Sequence, residues 1–239
     1  MAGSLAPLRA RMSRSASGDH PSQARRTAGQ RSVAGEASIA QIMAAAEQVF
    51  AARGFHGAKM AEIAKLAGLP KANLHYYFGT KEQLYRALLK DILRAWLAAA
   101  AGWIVPEKGP GEAFAGYISA KMDLSRRRPA ASRIFAGELL NGAPHIHGFL
   151  RGELRRYVND VGGVIDGWAR AKLMDPVSAP HLLFTLWAVT QTYADFGVQV
   201  AAVLGKQSVD EAVFATATRT ITNIVIKGCG ITFDRQGAA

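Results

Sequence analysis

Side chains that could bind the edges of nucleic acid bases follow one another over a few residues in the first third of the chain. The amide of Asn73 can pair with N6 and N7 of adenine, and Lys71 can donate to guanine or to a phosphate. Ala72 and Tyr76 offer apolar contacts to a thymine methyl group, and His75 adds a polar ring beside them. These residue types together suit the major groove of DNA.

A pair of short helices is predicted to position these side chains. Apolar residues recur at three- and four-residue steps between 39 and 50, which predicts a longer first helix that ends near Gly54. A second helix is predicted from Met60 to Ala67 and a third from Lys71 to Phe78, with Leu74 turned towards the second. Two short helices joined by a glycine-containing turn behind a longer one form the helix-turn-helix motif.

The segment from Gly54 to Leu84 resembles the N-terminal DNA-binding domain of the TetR family. It has a G-F turn, an I-A-x-x-A-G helix and turn, a Y-x-F ending and a K-E-x-L helix start, in that order. The resemblance implies that Tyr77 and Lys81 contact backbone phosphates. Lys59 and Pro70 stand where relatives usually carry capping Thr and Ser residues, so we expect Lys59 to exchange a cap for a phosphate contact.

Helical periodicity dominates from Glu36 onward without an alternating strand pattern, so the predicted fold class is all-α. After a long helix that begins at Lys81, further helices are predicted near 112–127, 129–140, 145–172, 178–204 and 208–228. The predicted organisation is an Arg-rich arm at 1–35, a helix-turn-helix domain at 36–82, a helical ligand-binding and dimerisation domain at 83–232, and a frayed tail at 233–239.

One predicted helix face brings three side chains of suitable chemistry together. Trp187, Gln191 and Asp195 stand at i, i+4 and i+8. An aromatic wall beside an amide suits a small planar polar ligand, because Gln191 can donate and accept hydrogen bonds at once. The further candidates for this site are Trp168, Tyr193, Phe196 and Glu138. The same pattern fits a helical core, or hydrogen bonds across a dimer interface, and that alternative stays open.

Three stretches are similar to the pyrimidine-sensing RutR-type branch of the TetR family: 73–78, 125–144 and 187–200. The resemblance implies uracil or thymine as the effector. It also implies a homodimer on a palindromic operator, and the apolar helices at 182–204 and 208–228 are predicted to form its four-helix interface.

Composition limits the other functions that the chain could have. There are 29 Lys and Arg residues against 18 Asp and Glu, and the net charge of +11 favours a polyanionic partner. Cys229 is the only cysteine, and His145 and His147 lack a third nearby ligand, so we expect no metal site. Neither a catalytic triad nor a phosphate-binding loop is present, so we expect no enzyme and no cofactor. Polar residues within 182–204 indicate a buried helix and not a membrane span. The single cysteine suits a reducing compartment, so we expect a cytoplasmic protein.

Two other functions fit parts of the sequence. An all-helical enzyme or small-molecule carrier could use its basic surface for solubility alone, but residues 54–84 argue against it. An architectural DNA-binding protein would share the helix-turn-helix, and no small molecule would weaken its operator binding. The favoured hypothesis is a ligand-responsive regulator, most simply a repressor, that binds a double-stranded DNA operator.

Overall fold

The computed structural model describes the backbone of residues 21–232 and the side chains of residues 35–232. This described part is helical and contains no strand, which confirms the predicted all-α class. The helices are α1 (Pro21–Gly57), α2 (Met60–Ala67), α3 (Lys71–Phe78), α4 (Lys81–Ala100), α5 (Pro110–Arg127), α6 (Pro129–Leu140), α7 (His147–Phe149), α8 (Arg155–Arg170), α9 (Ala179–Asp195), α10 (Gly197–Val203) and α11 (Glu211–Gly228). A π-helical turn, Leu150–Leu154, joins α7 to α8.

The chain divides into two compact units, and the boundary falls within α1, after Ile39. The second unit, from Ala40 onward, holds every site discussed below. We call its first three helices, at residues 40–78, the reading head.

A first hydrophobic core holds the reading head together. Phe50, Ile63 and Leu74 come from α1, α2 and α3 respectively, and all three are buried. The turn between α2 and α3 depends on Gly68, whose φ of 67° lies in the left-handed region that glycine adopts without strain. This turn sets the direction of α3 relative to the helices behind it.

The long helix α4 begins with a well-formed cap. The Thr80 hydroxyl accepts a hydrogen bond from the Gln83 backbone N–H, and the Gln83 side chain accepts one from the Thr80 N–H, which makes a capping box. Farther along, Leu88 and Ile92 pack in the first core, whereas Ala100 packs in a second core. Helix α4 therefore belongs to both cores.

The second core surrounds α5, which packs against α4, α6, α9 and α11. Phe114, Ile118 and Leu183 are among its fully buried residues.

No helix in the described part of the chain is long and apolar enough to cross a membrane.

The structure differs from the sequence prediction at three places. Helix α1 begins at Pro21, well before the predicted boundary at 36, because Ala, Arg and Gln favour helix and proline suits a first turn. Residues 1–20 of the predicted arm and the predicted tail at 233–239 lie outside the described residues. The predicted helix at 178–204 is interrupted at Phe196, and the one at 145–172 contains the π-helical turn.

Candidate nucleic-acid interface and ligand cavity

Helix α3 presents an exposed face that carries most of the predicted base-reading residues. The Tyr76 side chain is 82% exposed. Lys71, Ala72 and His75 are exposed as well, and Asn73 is half-buried. Leu74, by contrast, is completely buried and fixes the opposite face of α3 to the first core. The structure therefore brings the predicted reading residues together on one short helix.

Two aromatic residues of α3 are less free than their neighbours. His75 Nδ1 lies 2.7 Å from the carbonyl oxygen of Gly79, so this ring is held at the C-terminal end of the helix. Tyr77 is partly buried against the first core and contacts the Tyr76 ring edge to face, with ring centroids 5.0 Å apart. The Tyr77 ring, which packs on the first core, therefore supports the exposed ring of Tyr76.

The two unusual helix starts lack side-chain caps, as their residue types require. Lys59 precedes α2 with an extended backbone, and no side-chain hydrogen bond caps that helix. Pro70 precedes α3 in the same way. Lys59 is exposed, so its ammonium group is available at the N-terminal end of α2, where a phosphate would also meet free backbone N–H groups.

Lys81, the residue for which the resemblance implies a phosphate contact, makes an internal contact. Its Nζ donates hydrogen bonds to the carbonyl oxygens of His56 at 3.2 Å and Ala58 at 3.1 Å. It also lies 4.7 Å from the centre of the Phe55 ring. Lys81 therefore ties the start of α4 to the end of α1 in the free protein.

A cavity of about 270 Å³ lies between the two cores, lined by α4, α5, α6, the π-helical turn, α8 and α9. Trp187 and Gln191 of α9 both line it, as their spacing predicted. Leu93, Trp96 and Phe135 make much of the remaining wall apolar and aromatic. A pocket that is mostly apolar with a few polar groups is the usual form of a small-molecule site.

Three further polar side chains line the cavity, and sequence reasoning missed them. Trp187 Nε1 donates a hydrogen bond of 2.7 Å to the Tyr117 hydroxyl. Burial, and the neighbouring Tyr157 hydroxyl, raise the pKa of Tyr117. Lys121 is 5% exposed, and Tyr157 has a buried hydroxyl. The sequence feature that could have indicated two of them is the four-residue spacing of Tyr117 and Lys121, which places both on one apolar face of α5.

The other predicted ligand residues lie outside this cavity. Trp168 packs in the second core against Phe114, with ring centroids 5.8 Å apart. Tyr193 and Asp195 line a different cavity, of about 660 Å³, near the α9–α10 corner. Phe196 is 58% exposed. The structure therefore separates the i+8 position from i and i+4, because the helix face turns away from the cavity towards the end of α9.

Glu138 also lies outside the cavity, in a cluster that reaches the reading head. Its carboxylate accepts a hydrogen bond of 2.7 Å from the His145 backbone N–H and lies 3.0 Å from His145 Nδ1. The His145 ring contacts Phe55 and Tyr85, with centroid distances of 4.6 and 5.1 Å. Burial, followed by the charge of Glu138, raises the pKa of Tyr85. We call Glu138, His145, Tyr85 and Phe55 the junction cluster.

A salt bridge network also connects the reading head to the helices behind it. Arg128, between α5 and α6, donates to Glu47 of α1 at 2.6 Å and to Asp91 of α4 at 3.2 Å.

The described part of the chain contains no group of three or more His, Cys, Asp or Glu side chains that could hold a metal ion.

Two family models match consecutive parts of the chain. Residues 42–88 match the family model described as bacterial regulatory proteins of the tetR family. Residues 89–232 match the model of the YcdC-like protein C-terminal region. The chain belongs to the TetR family. It is a helix-turn-helix, DNA-binding transcriptional regulator and not an enzyme, which confirms the sequence prediction on both points.

Individual relatives agree with this family assignment. The transcriptional regulator RutR of Escherichia coli K12 is 41% identical over 175 residues, which cover 73% of this chain and 82% of that protein. A transcriptional regulator of Streptomyces coelicolor superposes with a TM-score of 0.62 at 25% identity, covering 80% of this chain and 98% of that one. The ketosteroid regulator KstR2 of Mycobacterium tuberculosis shares the fold at 16% identity, with a TM-score of 0.65 and coverage of 81% and 95%.

Proposed function

We propose that this TetR-family regulator is a repressor that leaves a palindromic operator when a small planar heterocycle, such as uracil or thymine, enters the cavity. The observation that carries the proposal is that Gln191 lines the same cavity as several aromatic side chains, and that the wall of this cavity includes α4. An amide can match the alternating C=O and N–H edge of a pyrimidine, and Trp187 can stack on the ring. The 41% identity to RutR supports the same ligand class.

The exposed face of α3 is proposed to read the operator. Asn73, Lys71 and Tyr76 would contact base edges, with Ala72 close enough for a thymine methyl group and His75 beside the groove. Lys59, Tyr77 and Lys81 would contact backbone phosphates. For Lys81 this requires its ammonium group to donate hydrogen bonds to the carbonyl oxygens of His56 and Ala58 and to a phosphate at the same time.

A homodimer is proposed to present two reading heads to the operator. Phe184 of α9 is 50% exposed and Ile224 of α11 is 65% exposed, although both helices pack on α5 with their other faces. A four-helix bundle of α9 and α11 from each subunit would cover these side chains. Recognition helices related by a two-fold axis would then lie about 34 Å apart, one turn of DNA. The proposed site of action of such a regulator is the cytoplasm.

Helix α4 is proposed to connect ligand and operator binding, since it starts beside the reading head and ends in the cavity wall. A ligand that fits better when α4 is displaced favours the state in which the two heads no longer match the operator spacing. Coupling of this kind is typically worth 1–3 kcal/mol, or about 5- to 150-fold in affinity.

Fluorescence anisotropy on DNA from upstream of the protein's own coding sequence tests the proposal. We expect salt-sensitive, sequence-preferring binding that uracil or thymine weakens by about 5- to 150-fold. Asn73→Ala should cost about 1–3 kcal/mol and relax the preference at one base pair, whereas Gln191→Ala should keep DNA binding and lose the response. Binding that no heterocycle weakens would contradict the repressor mechanism and favour an architectural DNA-binding protein.

A further inference from the structure

Lys121 is a cation inside the cavity wall that has no anionic partner. It is 5% exposed, and among the described residues it forms neither an ion pair nor a hydrogen bond. Its Nζ lies 4.4 Å from the centre of the Trp96 ring. A cation–π contact is worth about 0.5–2 kcal/mol, which is less than the several kcal/mol that an unpaired buried charge costs.

The Asp195 carboxylate influences the charge of Lys121, but it does not form an ion pair with Lys121. The Asp195 carboxylate raises the pKa of Lys121 only in part, since desolvation lowers that pKa to about 8. Asp195 lines the other cavity, and burial raises its own pKa. The charge of Lys121 is therefore left for a molecule inside the cavity to balance.

Tyr157 supplies a second buried polar group on the same cavity. Its hydroxyl lies beside the Tyr117 hydroxyl, which already accepts from Trp187, but forms no hydrogen bond of ordinary geometry with the described residues; burial raises its pKa, which keeps it a neutral donor. Unsatisfied buried polar atoms are rare in native proteins, so each one requires an explanation. A ligand oxygen that accepts from both Tyr157 and Lys121 would satisfy both groups.

We propose that the effector is anionic, namely a planar ring that carries a carboxylate or an ionised ring oxygen, with its charge against Lys121 and Tyr157 and its amide edge on Gln191. This inference rests on the proposed function and narrows its ligand class. A neutral carbonyl could accept a hydrogen bond from Lys121 but would leave the charge uncompensated. Hydrogen bonds to charged partners are roughly twice as strong as neutral ones.

Isothermal titration calorimetry with three rings of similar size tests the inference. The probes are uracil, orotate, which adds a carboxylate to the uracil ring, and barbiturate, which carries an ionised ring oxygen. At about pH 7 we expect at least one of the two anions to bind the wild-type protein about tenfold or more tightly than uracil does, a difference of about 1.4 kcal/mol.

Variants assign this preference to the two residues. Lys121→Met keeps the length of the side chain without its charge, and it should remove the preference while changing uracil affinity by less than about threefold. Tyr157→Phe should weaken the anion by about fivefold, because only a hydroxyl is lost. Lys90→Met, on the exposed face of α4, is the matched control and should bind all three probes as the wild type does.

The outcomes separate this inference from the proposed function. If uracil binds and releases the operator but neither anion binds more tightly, the inference is wrong and the proposed function stands. If an anion binds more tightly but Lys121→Met binds it equally well, the role of Lys121 is wrong. If no probe binds or releases the operator, both are wrong. Should Lys121→Met fail to fold, the comparison of probes on the wild-type protein still decides.

Discussion

At the scale of single residues, the buried charge of Lys121 is expected to lower the stability of the fold and to strengthen ligand binding. A charged side chain that is buried without a partner lowers the stability of the folded protein. Proteins retain such destabilising residues at functional sites, where they contribute to ligand binding. Gln191 and Trp187 differ in this respect, because neither carries a charge and Trp187 Nε1 already donates to the Tyr117 hydroxyl. Removal of the charge at position 121 should therefore stabilise the ligand-free protein while it harms recognition.

The pH dependence of stability gives this conflict a measurable form. Lysine in the unfolded chain has a pKa near 10.5, whereas burial lowers the pKa of Lys121 to about 8. Between these values the unfolded state binds more protons than the folded state, so stability from this group rises with pH; below about pH 8 its full cost is present. The charge of Asp195 influences the pKa of Lys121, and Tyr117 and Tyr157 line the same cavity; all three are unchanged in the variant.

We therefore expect Lys121→Met to increase the free energy of unfolding at about pH 7, by up to an amount on the order of 3 kcal/mol, from the 2.5-unit difference in pKa. The gain should shrink as pH rises towards about 9.5. Urea unfolding of both proteins across this range provides the measurement, with Lys90→Met as control. A gain that stays constant with pH would mean that Lys121 has the same pKa in the folded and unfolded protein, so that its burial leaves its charge unperturbed.

The sequence predicted some of these residues and not others, for physical reasons. Trp187 and Gln191 share a helix face, which spacing reveals. Lys121 comes from another helix, and long basic side chains usually place their charge in water, so its burial depends on packing that spacing does not report. Trp168 shows the converse, because an aromatic residue at helical spacing fits a core as well as a ligand site.

At the scale of elements, helices with strong periodicity were predictable and their interruptions were not. Helices α5 and α6 lie close to their predicted bounds, since proline residues mark both starts. The break at Phe196 and the π-helical turn depend on contacts with other helices. The same is true of the junction cluster, in which α1, α4, α6 and the loop at 141–146 meet.

This cluster connects two helices of the cavity wall to the reading head. Phe135 and Leu139 of α6 line the cavity, and Glu138 between them contacts His145, whose ring packs on Phe55 at the end of α1. A displacement of α6 or α4 on ligand binding would change these contacts directly. The junction cluster is therefore expected to determine how strongly ligand binding weakens operator binding.

Glu138→Gln tests this role, because the amide keeps the size of the carboxylate but not its charge. We expect the ratio of operator affinities without and with saturating uracil, or a tighter ligand, to fall by about fivefold or more. Operator affinity alone and ligand affinity alone should each change by less than about threefold. Glu107→Gln, in the exposed loop before α5, serves as control. Loss of both affinities together with the ratio would indicate a purely structural residue.

At the scale of the whole molecule, the exposed apolar residues of α9 and α11 provide a test of the proposed homodimer. Phe184→Glu and Ile224→Glu should each shift the protein from dimer to monomer in size-exclusion chromatography with light scattering, because a charge buried in an apolar interface is costly. Operator affinity should fall with dimerisation. Leu140→Glu is a matched control, since Leu140 is 88% exposed on α6. A wild-type protein that is monomeric at micromolar concentration would contradict the dimer.

Helix α4 contributes to both hydrophobic cores, and this limits how such regulators can be recombined. A fragment that ends at residue 82 would lose Leu88 and Ile92 from the core beneath α3. Chimaeras that exchange operator and effector preference between relatives should therefore not be joined there. The loop between α4 and α5 is the better place for the junction, where the whole of α4 travels with the reading head and its cavity-lining residues come along. In such a chimaera, we expect part of the effector preference to be transferred together with the operator preference.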